Sequence, residues 1–442
     1  MPSRRDARSR AVDVLRQVLG RGGRATPLLA ERGRNLPAGE QDLFRELVLG
    51  VLRWRSALDA EIASVSRIPL ERLAPKLREI LEVALYQVRH LDGIPDYAAV
   101  SEAVSQGRAS GGEGAARLVN GVLRGILLLP PPARPSPAGS EKEADTAALA
   151  RYFSHPAFLV ARWRERFGLE RTLRILEADN RPSPVDLMVN PARGSPDEIA
   201  RELSREGIAT RRAALSPLAL TVTAGSAIRS PLFAAGAFTV QDVGSQALAL
   251  LLPPGNRLVD LAAAPGGKSF AALWLGRASS SVAVDRSISR LGLLEQNRRR
   301  LAAREIHPVC GDAEAPPLPP GRFDRVLFDA PCSGTGTLRK NPEIRYRLNP
   351  AAIERLAAAQ EASLAAAAKL LAPGGYLLYA TCSLEAEEND RVVARVRSRE
   401  PGLEPAAIEA PESLRPYAAG PVFRLFPDAA NDGFTAHLLK RA

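Results

Sequence analysis

The feature that most constrains this chain is a regular alternation of short apolar runs with helical segments, which begins near Phe238. The apolar runs are "RLVDLAAA", "SSVAVDRS", "IHPVCGDA", "FDRVLFDAP" and "GGYLLYATCS". Runs of this kind, each followed by a helical pattern, are typical of buried parallel strands in a doubly wound α/β sheet. Because ligands of such sheets bind at the carboxyl ends of the strands, we expect the functional site at that edge.

The first two strands predict a cofactor that carries a nucleoside. The first leads into "DLAAAPGGKS", a turn of small residues that opens a helix, in which Gly266 and Gly267 allow a ligand to approach the backbone. Asp285 ends the second strand, 25 residues after Asp260, which is the spacing at which an acid binds ribose hydroxyls.

The choice of cofactor depends on the other acids. A dinucleotide site would have the spacing G-x-G-x-x-G, which is absent here. Asp312 and Asp329 also follow strands, and carboxylates suit amino and hydroxyl donors better than phosphates, so S-adenosylmethionine fits better than NAD. For any one aspartate a helix cap or turn is an equal alternative. The predicted cofactor-binding residues are Ala262, Ala263, Ala264, Pro265, Gly266, Gly267, Lys268, Asp285, Asp312 and Asp329.

The two cysteines near strand ends suggest a reaction. "LFDAPCSG" and "LLYATCSL" contain the fourth and fifth strands, which are neighbours in the usual order of such a sheet. Cys332 and Cys382 should therefore face one cleft, although a cysteine is often only a small buried hydrophobe. We assign that packing role to Cys310. The three cysteines form no CxxC pair and the four histidines are scattered, so we expect neither disulfides nor a metal site.

The chain before Phe238 has other patterns. Apolar residues at helical spacing in "RAVDVLRQVL" and "KLREILEVALYQVRHL" predict an all-α bundle over 1–127. A linker rich in proline follows over 128–147. The strands "VDLMVN" and "ALTVTA" around a helix predict a small α+β subdomain over 148–235, and the α/β domain covers 236–442.

Charge points to a polyanionic partner. The formal net charge of +11 favours nucleic acid, although 54 of the 60 basic residues are Arg, and that excess also fits compositional drift. There is no apolar run long enough for a membrane span and no signal-like N-terminus, so we expect a cytoplasmic protein without a membrane partner. The basic helix "HPAFLVARWRERFG" fits RNA contact or a solvated face.

Several longer strings resemble known families. "ELVLGVLRWRSALDAEI", "ALYQVRHLDGIPDYAAVSEAV" and "LVNGVLRGIL" resemble the NusB-like antitermination-factor domain, a small helical RNA-binding module. The alternative is a helical bundle that serves only as a docking scaffold. "DLAAAPGGKS", "DAPCSGTGTLRKNPE", "YATCSLEAEEND" and "DGFTAHLLKR" resemble RNA cytosine-5 methyltransferases with two active-site cysteines. Together they resemble the RsmB (Sun/Fmu) type, which acts on 16S ribosomal RNA. Ala262 stands where this family usually has Cys, and Val243 where an acid is common.

The resemblance implies a NusB-like all-α bundle, an α+β RNA-binding subdomain and a Rossmann-like domain that transfers methyl groups from S-adenosylmethionine to cytosine C5. It assigns attack on C6 to Cys382, base binding to Asp329 and product release to Cys332. Lys268 could lower a thiol pKa or contact the substrate, and both roles stay open. The basic run "RKNPEIRYR" is expected to hold the RNA backbone.

The expected partner is 16S ribosomal RNA or a small-subunit precursor, and we expect a monomer. Two alternatives remain. One is a cytosine-5 methyltransferase that acts on tRNA, DNA or another ribosomal position. The other is a non-catalytic RNA-binding assembly factor, which is disfavoured by the intact cysteines and acids.

Overall fold

The computed structural model describes residues 6–135 and 145–442, so the predicted linker lies in part outside the described residues. Contacts within the chain divide it into two compact units, and the predicted domain boundaries stay predictions. The first unit comprises the described residues up to Pro182 together with Leu338–Arg347, and the second comprises Ser183–Thr337 and Leu348–Ala442.

The first unit is helical, as the apolar spacing predicts. Leu15, Leu47 and Leu81 are fully buried in its core. Asp6 caps the first helix by accepting a hydrogen bond from the Ser9 amide. The helices are α1 (Ala7–Arg21), α2 (Ala25–Gly33), α3 (Ala38–Val65), α4 (Pro75–His90), α5 (Asp96–Leu127), α6 (Thr146–Tyr152) and α7 (Ala157–Asp179).

A segment from the second half of the sequence, Leu338–Arg347, completes this helical unit. Arg345 is only 4% exposed, and its guanidinium donates to the carbonyl of Arg53 at 2.7 Å, the side-chain oxygen of Asn180 at 2.8 Å and the carbonyl of Asp179 at 2.9 Å. The Arg53 guanidinium in turn donates to the carbonyl of Arg339. Both ends of the segment are thus fixed by buried hydrogen bonds.

The expectation that the run "RKNPEIRYR" holds the RNA backbone is wrong for its two buried arginines. Arg339 is 0% exposed and Arg345 is 4% exposed. Both terminal nitrogens of the Arg345 guanidinium donate to groups of the protein, so they are not available to a phosphate. For the exposed residues of this run, such as Arg347, the expected contact with the RNA backbone stays a prediction.

The second unit contains two sheets. The smaller one is antiparallel, with the strand order β2-β3-β1-β4. The strands predicted from "VDLMVN" and "ALTVTA" are present as β1 and β3, and the sequence did not indicate the two edge strands. The elements of this part are β1 (Val185–Val189), α8 (Pro196–Arg205), β2 (Ala209–Arg212), β3 (Ala219–Ala224), α9 (Pro231–Ala234) and β4 (Phe238–Val240).

The larger sheet is the predicted α/β sheet. The five predicted strands are present as β5 to β9, and β5, β6, β7, β8 and β9 pair in parallel. The elements are α10 (Val243–Leu250), β5 (Arg257–Leu261), α11 (Gly267–Trp274), β6 (Ser280–Asp285), α12 (Ile288–Arg300), β7 (Ile306–Cys310), β8 (Phe323–Asp329), α13 (Pro350–Leu370), β9 (Leu371–Thr381), α14 (Asp390–Arg399), β10 (Leu403–Pro405), β11 (Ala418–Ala419), β12 (Val422–Leu425) and β13 (Phe434–Arg441).

The order of this sheet is β11-β12-β13-β9-β8-β5-β6-β7, with β10 beside β13. From β5 the chain continues to β6 and β7 on one side of the sheet, and it then crosses to β8 on the other side of β5. The strand order therefore reverses between β5 and β8, and a cleft is expected at that point. Successive side chains of each strand alternate between two buried faces: Leu327 packs in one apolar cluster, and Val326 and Phe328 pack in the other. This explains the nearly continuous apolar runs. Over the described residues, no helix has both the length and the apolar content of a membrane span.

Candidate active site

The turn after β5 is shaped by the backbone. Ala262 has a φ of 60° and Gly266 a φ of 104°. A Cβ atom on Gly266 would lie 2.7 Å from the ring of Phe270, so only glycine fits there. The amide of Ala263 donates to the carbonyl of Val284 at 2.9 Å, which ties the turn to the neighbouring strand β6. The turn therefore requires glycine at position 266 for its own packing, in addition to the predicted approach of a ligand.

Asp285, at the end of β6, is 2% exposed. Its carboxylate accepts hydrogen bonds from the amides of Ala264 at 3.1 Å and Ser287 at 2.9 Å, and it pairs with Arg290 at 3.3 Å. Arg290 also donates to the carbonyl of Ala264. The predicted ribose-binding acid thus also braces the turn after β5.

The end of β7 is more open. Asp312 is exposed, and its carboxylate accepts a hydrogen bond from the amide of Glu314 at 3.0 Å. Cys310, the last residue of β7, is also exposed, so the predicted packing role of this cysteine is wrong. The exposed Cys310 lies outside the set of predicted site residues.

Lys268 and Asp329 form an ion pair across the carboxyl ends of β5 and β8. The Lys268 Nζ atom lies 2.6 Å from an Asp329 carboxylate oxygen, and the two side chains are 16% and 26% exposed. Burial disfavours the charged amine, but attraction by Asp329, Asp260 and Cys382 outweighs it and raises the pKa of Lys268 above its ordinary value. Lys268 is therefore a cation at neutral pH.

Asp260 lies behind this ion pair. It is 1% exposed and accepts a hydrogen bond from the Ser269 hydroxyl at 2.7 Å, while its other oxygen has no hydrogen-bond partner among the described residues. Burial, together with the negative charge of Asp329, raises the pKa of Asp260 to about 7 against the opposing effects of Ser269 and Lys268.

The structure brings the two predicted catalytic cysteines together. Strands β8 and β9 are neighbours, as predicted, and the Sγ atoms of Cys332 and Cys382, in the loops that follow them, are 3.3 Å apart. Both residues are half-buried. The hydrogen bond to Cys382, burial and the negative charges nearby raise the pKa of Cys332 well above its ordinary value. Cys332 is therefore a neutral thiol that can donate its proton to Cys382.

Sequence reasoning missed the polar groups that follow the two cysteines. Ser333 and Ser383 are buried, and their hydroxyls are 3.1 Å apart. Both hydroxyls donate to the carboxylate of Glu388, which is fully buried. One signal could have found them, because each cysteine is followed directly by a serine, in "PCSG" and "TCSL".

Comparison with known proteins covers both units. Residues 247–440 match the family described as 16S rRNA methyltransferase RsmB/F, residues 5–127 match the NusB family, and residues 155–229 match the ferredoxin-like domain of RsmF/B-like methyltransferases. A probable ribosomal RNA small subunit methyltransferase B of Bacillus subtilis is 32% identical over 412 residues, which cover 91% of each chain. The chain belongs to the RsmB family.

Other similar proteins agree with membership in the RsmB family. A probable ribosomal RNA small subunit methyltransferase B of Synechocystis sp. is 35% identical over 358 residues, which cover 79% of each chain. The crystal structure of PH0851 has a TM-score of 0.77 at 24% identity and covers 98% of each chain. The crystal structure of NSun6 from Pyrococcus horikoshii with SFG has a TM-score of 0.55 at 21% identity and covers 64% of this chain and 97% of that one. At such identities the two structures show a shared fold.

S-adenosylmethionine is the cofactor of this RsmB-family chain, and the cleft fits it. The carboxyl ends of β5, β6 and β7 lie side by side, and two of them carry the carboxylates of Asp285 and Asp312. Ionised carboxylates accept hydrogen bonds from amino and hydroxyl groups and repel phosphates. A methyl donor built on a nucleoside and an amino acid therefore suits this edge better than a dinucleotide.

Proposed function

We propose that this RsmB-family enzyme methylates C5 of one cytosine in 16S ribosomal RNA through a covalent bond between Cys382 and C6 of the base. The observation that carries this proposal is the pair of thiols, with Sγ atoms 3.3 Å apart, at the ends of two neighbouring strands. Two thiols beside an ion pair of Lys268 and Asp329 are the groups that this chemistry needs.

Cytosine C5 must be activated before it can accept a methyl group. Addition of the Cys382 thiolate to C6 gives C5 the character of an enamine carbon, which is a good nucleophile. When bound, S-adenosylmethionine supplies the electrophilic methyl group. Residues 262–268, Asp285 and Asp312 would hold it. The proton on C5 must then leave before the bond between Cys382 and C6 can break.

Asp329 and Lys268 are suited to bind the base. The carboxylate of Asp329 follows β8 and remains partly exposed, so it can accept a hydrogen bond from the cytosine amino group. Lys268 keeps its charge beside Asp329, and this cation offsets the negative charge that enters the ring when the thiolate adds. This arrangement supports a role of Lys268 towards the substrate, and an effect on a thiol pKa stays the alternative.

The electrostatics distinguish the two cysteines. The charge of Cys382 contributes to the raised pKa of Lys268. Cys332 keeps its proton because its pKa is raised by the hydrogen bond to Cys382. Once Cys382 has bonded to C6, it no longer offers an anionic acceptor. Cys332 can then lose its proton to solvent and take the proton from C5, so that one proton leaves per turnover and Cys382 is expelled as thiolate.

The RNA substrate is supported by the family description of residues 247–440 and by the NusB-family match of residues 5–127. A cytosine inside a duplex cannot reach a thiol, so we expect the target in a loop or in RNA that is not fully folded. The predicted cytoplasmic location and monomeric state accompany this proposal and stay predictions.

Bisulfite sequencing of total RNA tests the proposal. RNA from cells without the gene is compared with RNA from cells complemented with the wild type or with Cys382→Ala. We expect one cytosine of 16S ribosomal RNA to be protected from conversion only with the wild-type gene. Protection that appears instead in tRNA or at a 23S position would contradict the proposed substrate, and unchanged RNA in all strains would contradict the activity.

A further inference from the structure

The loops that carry the two cysteines are joined by one buried carboxylate. Glu388 Oε1 accepts hydrogen bonds from the amide of Ser333 at 2.7 Å and from the side-chain amide of Gln360 at 3.2 Å. Its Oε2 accepts from the hydroxyl of Ser383 at 2.5 Å and from that of Ser333. Four donors from three parts of the chain thus converge on one side chain that is 0% exposed.

Glu388 and its hydrogen-bond partner Gln360 hold the residues on both sides of Cys332. Ser333 follows this cysteine directly, and Gln360 of α13 also donates to the carbonyl of Pro331, which precedes it, at 2.8 Å. The Tyr379 hydroxyl donates to the main-chain carbonyl of Glu388 at 2.6 Å and fixes the backbone of Glu388 itself. The carboxylate is therefore anchored while it holds the residue after each cysteine.

We propose that Glu388 is a positioning residue that sets the separation of the Cys332 and Cys382 thiols. This inference rests on the proposed function, because it assigns Glu388 to the transfer of the reaction from the attacking thiol to the releasing thiol. An ionised carboxylate has about four acceptor sites on its two oxygens, which is the number of donors here. Without it, the two serines lose their common acceptor, and the loops after β8 and β9 can move apart near the sulfur atoms.

A second link keeps the rest of the fold in place. The amide of Gly336 donates to the carbonyl of Cys382 at 2.9 Å, and the amide of Leu384 donates to the Thr335 hydroxyl at 2.9 Å. These bonds join the same loops away from the sulfur atoms. Loss of Glu388 should therefore loosen the thiols without unfolding the sheet, so the variants can be tested as folded proteins.

The first test measures the thiols directly and needs no RNA. In a Cys310→Ser background, diamide accepts two electrons and two protons from the pair of thiols, which become a disulfide that is detected by peptide mapping under non-reducing conditions. We expect this reaction to be at least about tenfold slower in Glu388→Ala than in the parent, with an intermediate rate in Glu388→Gln, because misplacement by about 1 Å is costly for reacting groups. Equal rates in all three proteins would overturn the proposal.

Matched variants keep the result interpretable. Glu387→Gln changes the neighbouring carboxylate, which forms an ion pair with Arg391 at 3.2 Å. In this variant the disulfide between Cys332 and Cys382 should form at the parental rate. The double variant Ser333→Ala/Ser383→Ala removes the two hydroxyl donors to Glu388 and should also be slowed, which tests the role of Glu388 even if Glu388→Ala does not fold. A slowed reaction in Glu387→Gln, or a parental rate in the double serine variant, would contradict the role of Glu388.

The second test uses the methylation reaction. We expect Glu388→Ala to lower kcat by roughly 10- to 100-fold with unchanged KM for RNA and S-adenosylmethionine, and Glu388→Gln to restore part of it. A change confined to KM would contradict a positioning role. If the parent protein does not methylate cytosine, the proposed function fails, whereas the diamide reaction still decides whether Glu388 positions the thiols.

Discussion

The stretch from Asp329 to Arg347 divides into two parts with different environments. In Asp329–Thr337, the carboxylate of Asp329 and the thiol of Cys332 remain partly accessible at the end of a strand. In Leu338–Arg347, the guanidinium of Arg345 is enclosed by carbonyl and amide groups of the helical unit. Partly accessible polar groups, to which we assign the reaction, thus lie next to enclosed polar groups that join parts of the fold.

The largest effect is expected in the accessible part. Cys382→Ala cannot form the bond to C6, so methylation should fall by more than about 10³-fold, the scale seen when a nucleophile is removed. Binding of S-adenosylmethionine, measured by calorimetry, should not change. Cys310→Ala is the matched control because it removes an exposed thiol of the neighbouring region. Substantial methylation by Cys382→Ala would show that another group attacks C6.

The buried part should respond in stability. Arg345→Met leaves the carbonyls of Arg53 and Asp179 and the side chain of Asn180 without this donor. We expect a loss of about 3–5 kcal/mol, or on the order of 10 °C in the melting temperature read by tryptophan fluorescence. The exposed Arg151 provides the control variant Arg151→Met. An unchanged melting temperature with weaker RNA binding would contradict this comparison, because it would indicate that Arg345 contacts RNA and does not stabilise the fold.

The ion pair sharpens the comparison within the accessible part. Lys268→Met removes the cation that lies 2.6 Å from Asp329, so kcat should fall roughly 100-fold while the melting temperature changes little. Lys268→Arg keeps the charge and should retain part of the activity. If Lys268→Met lowered the melting temperature and left kcat intact, Lys268 would belong with the structural arginines of the second part.

The smallest effect concerns pH. Burial, with Asp59 nearby, raises the pKa of Glu82 from 4.5 to about 8 against the opposing effects of Arg55 and Arg78. Because the folded protein then binds this proton more tightly than the unfolded chain, the stability that it contributes is lost as the pH rises through that range. Glu82→Gln should weaken the fall of the melting temperature between pH 6 and pH 8 by a few degrees, or on the order of 1 kcal/mol. An identical pH profile in both proteins would contradict this assignment.

Features that depend on local patterns could be predicted from the sequence. The apolar runs gave the parallel strands, and the adjacency of β8 and β9 then brought Cys332 and Cys382 into one cleft. The turn that contains Gly266 was recognisable from its small residues. In each case, the alternation of strand and helix determines which residues meet at the carboxyl edge.

Features that depend on partners far away in the sequence could not be predicted. The burial of Arg345 requires Asn180 and Arg53, which lie more than 150 residues before it. A basic run with enclosed arginines has the same sequence pattern as one that binds phosphate. Asp285 was predicted as a cofactor ligand, and its bonds to the turn and to Arg290 depend on side-chain directions that no spacing rule supplies.

The covalent state of Cys332→Ala tests the central claim most directly. In this variant Cys382 can still add to C6 and the base can still accept the methyl group at C5, but the sulfur assigned to release is absent. We expect a protein–RNA adduct that survives denaturing gel electrophoresis, requires S-adenosylmethionine and is absent from Cys332→Ala/Cys382→Ala. An adduct that accumulates in Cys382→Ala instead, or wild-type turnover by Cys332→Ala, would contradict the assigned roles of the two thiols.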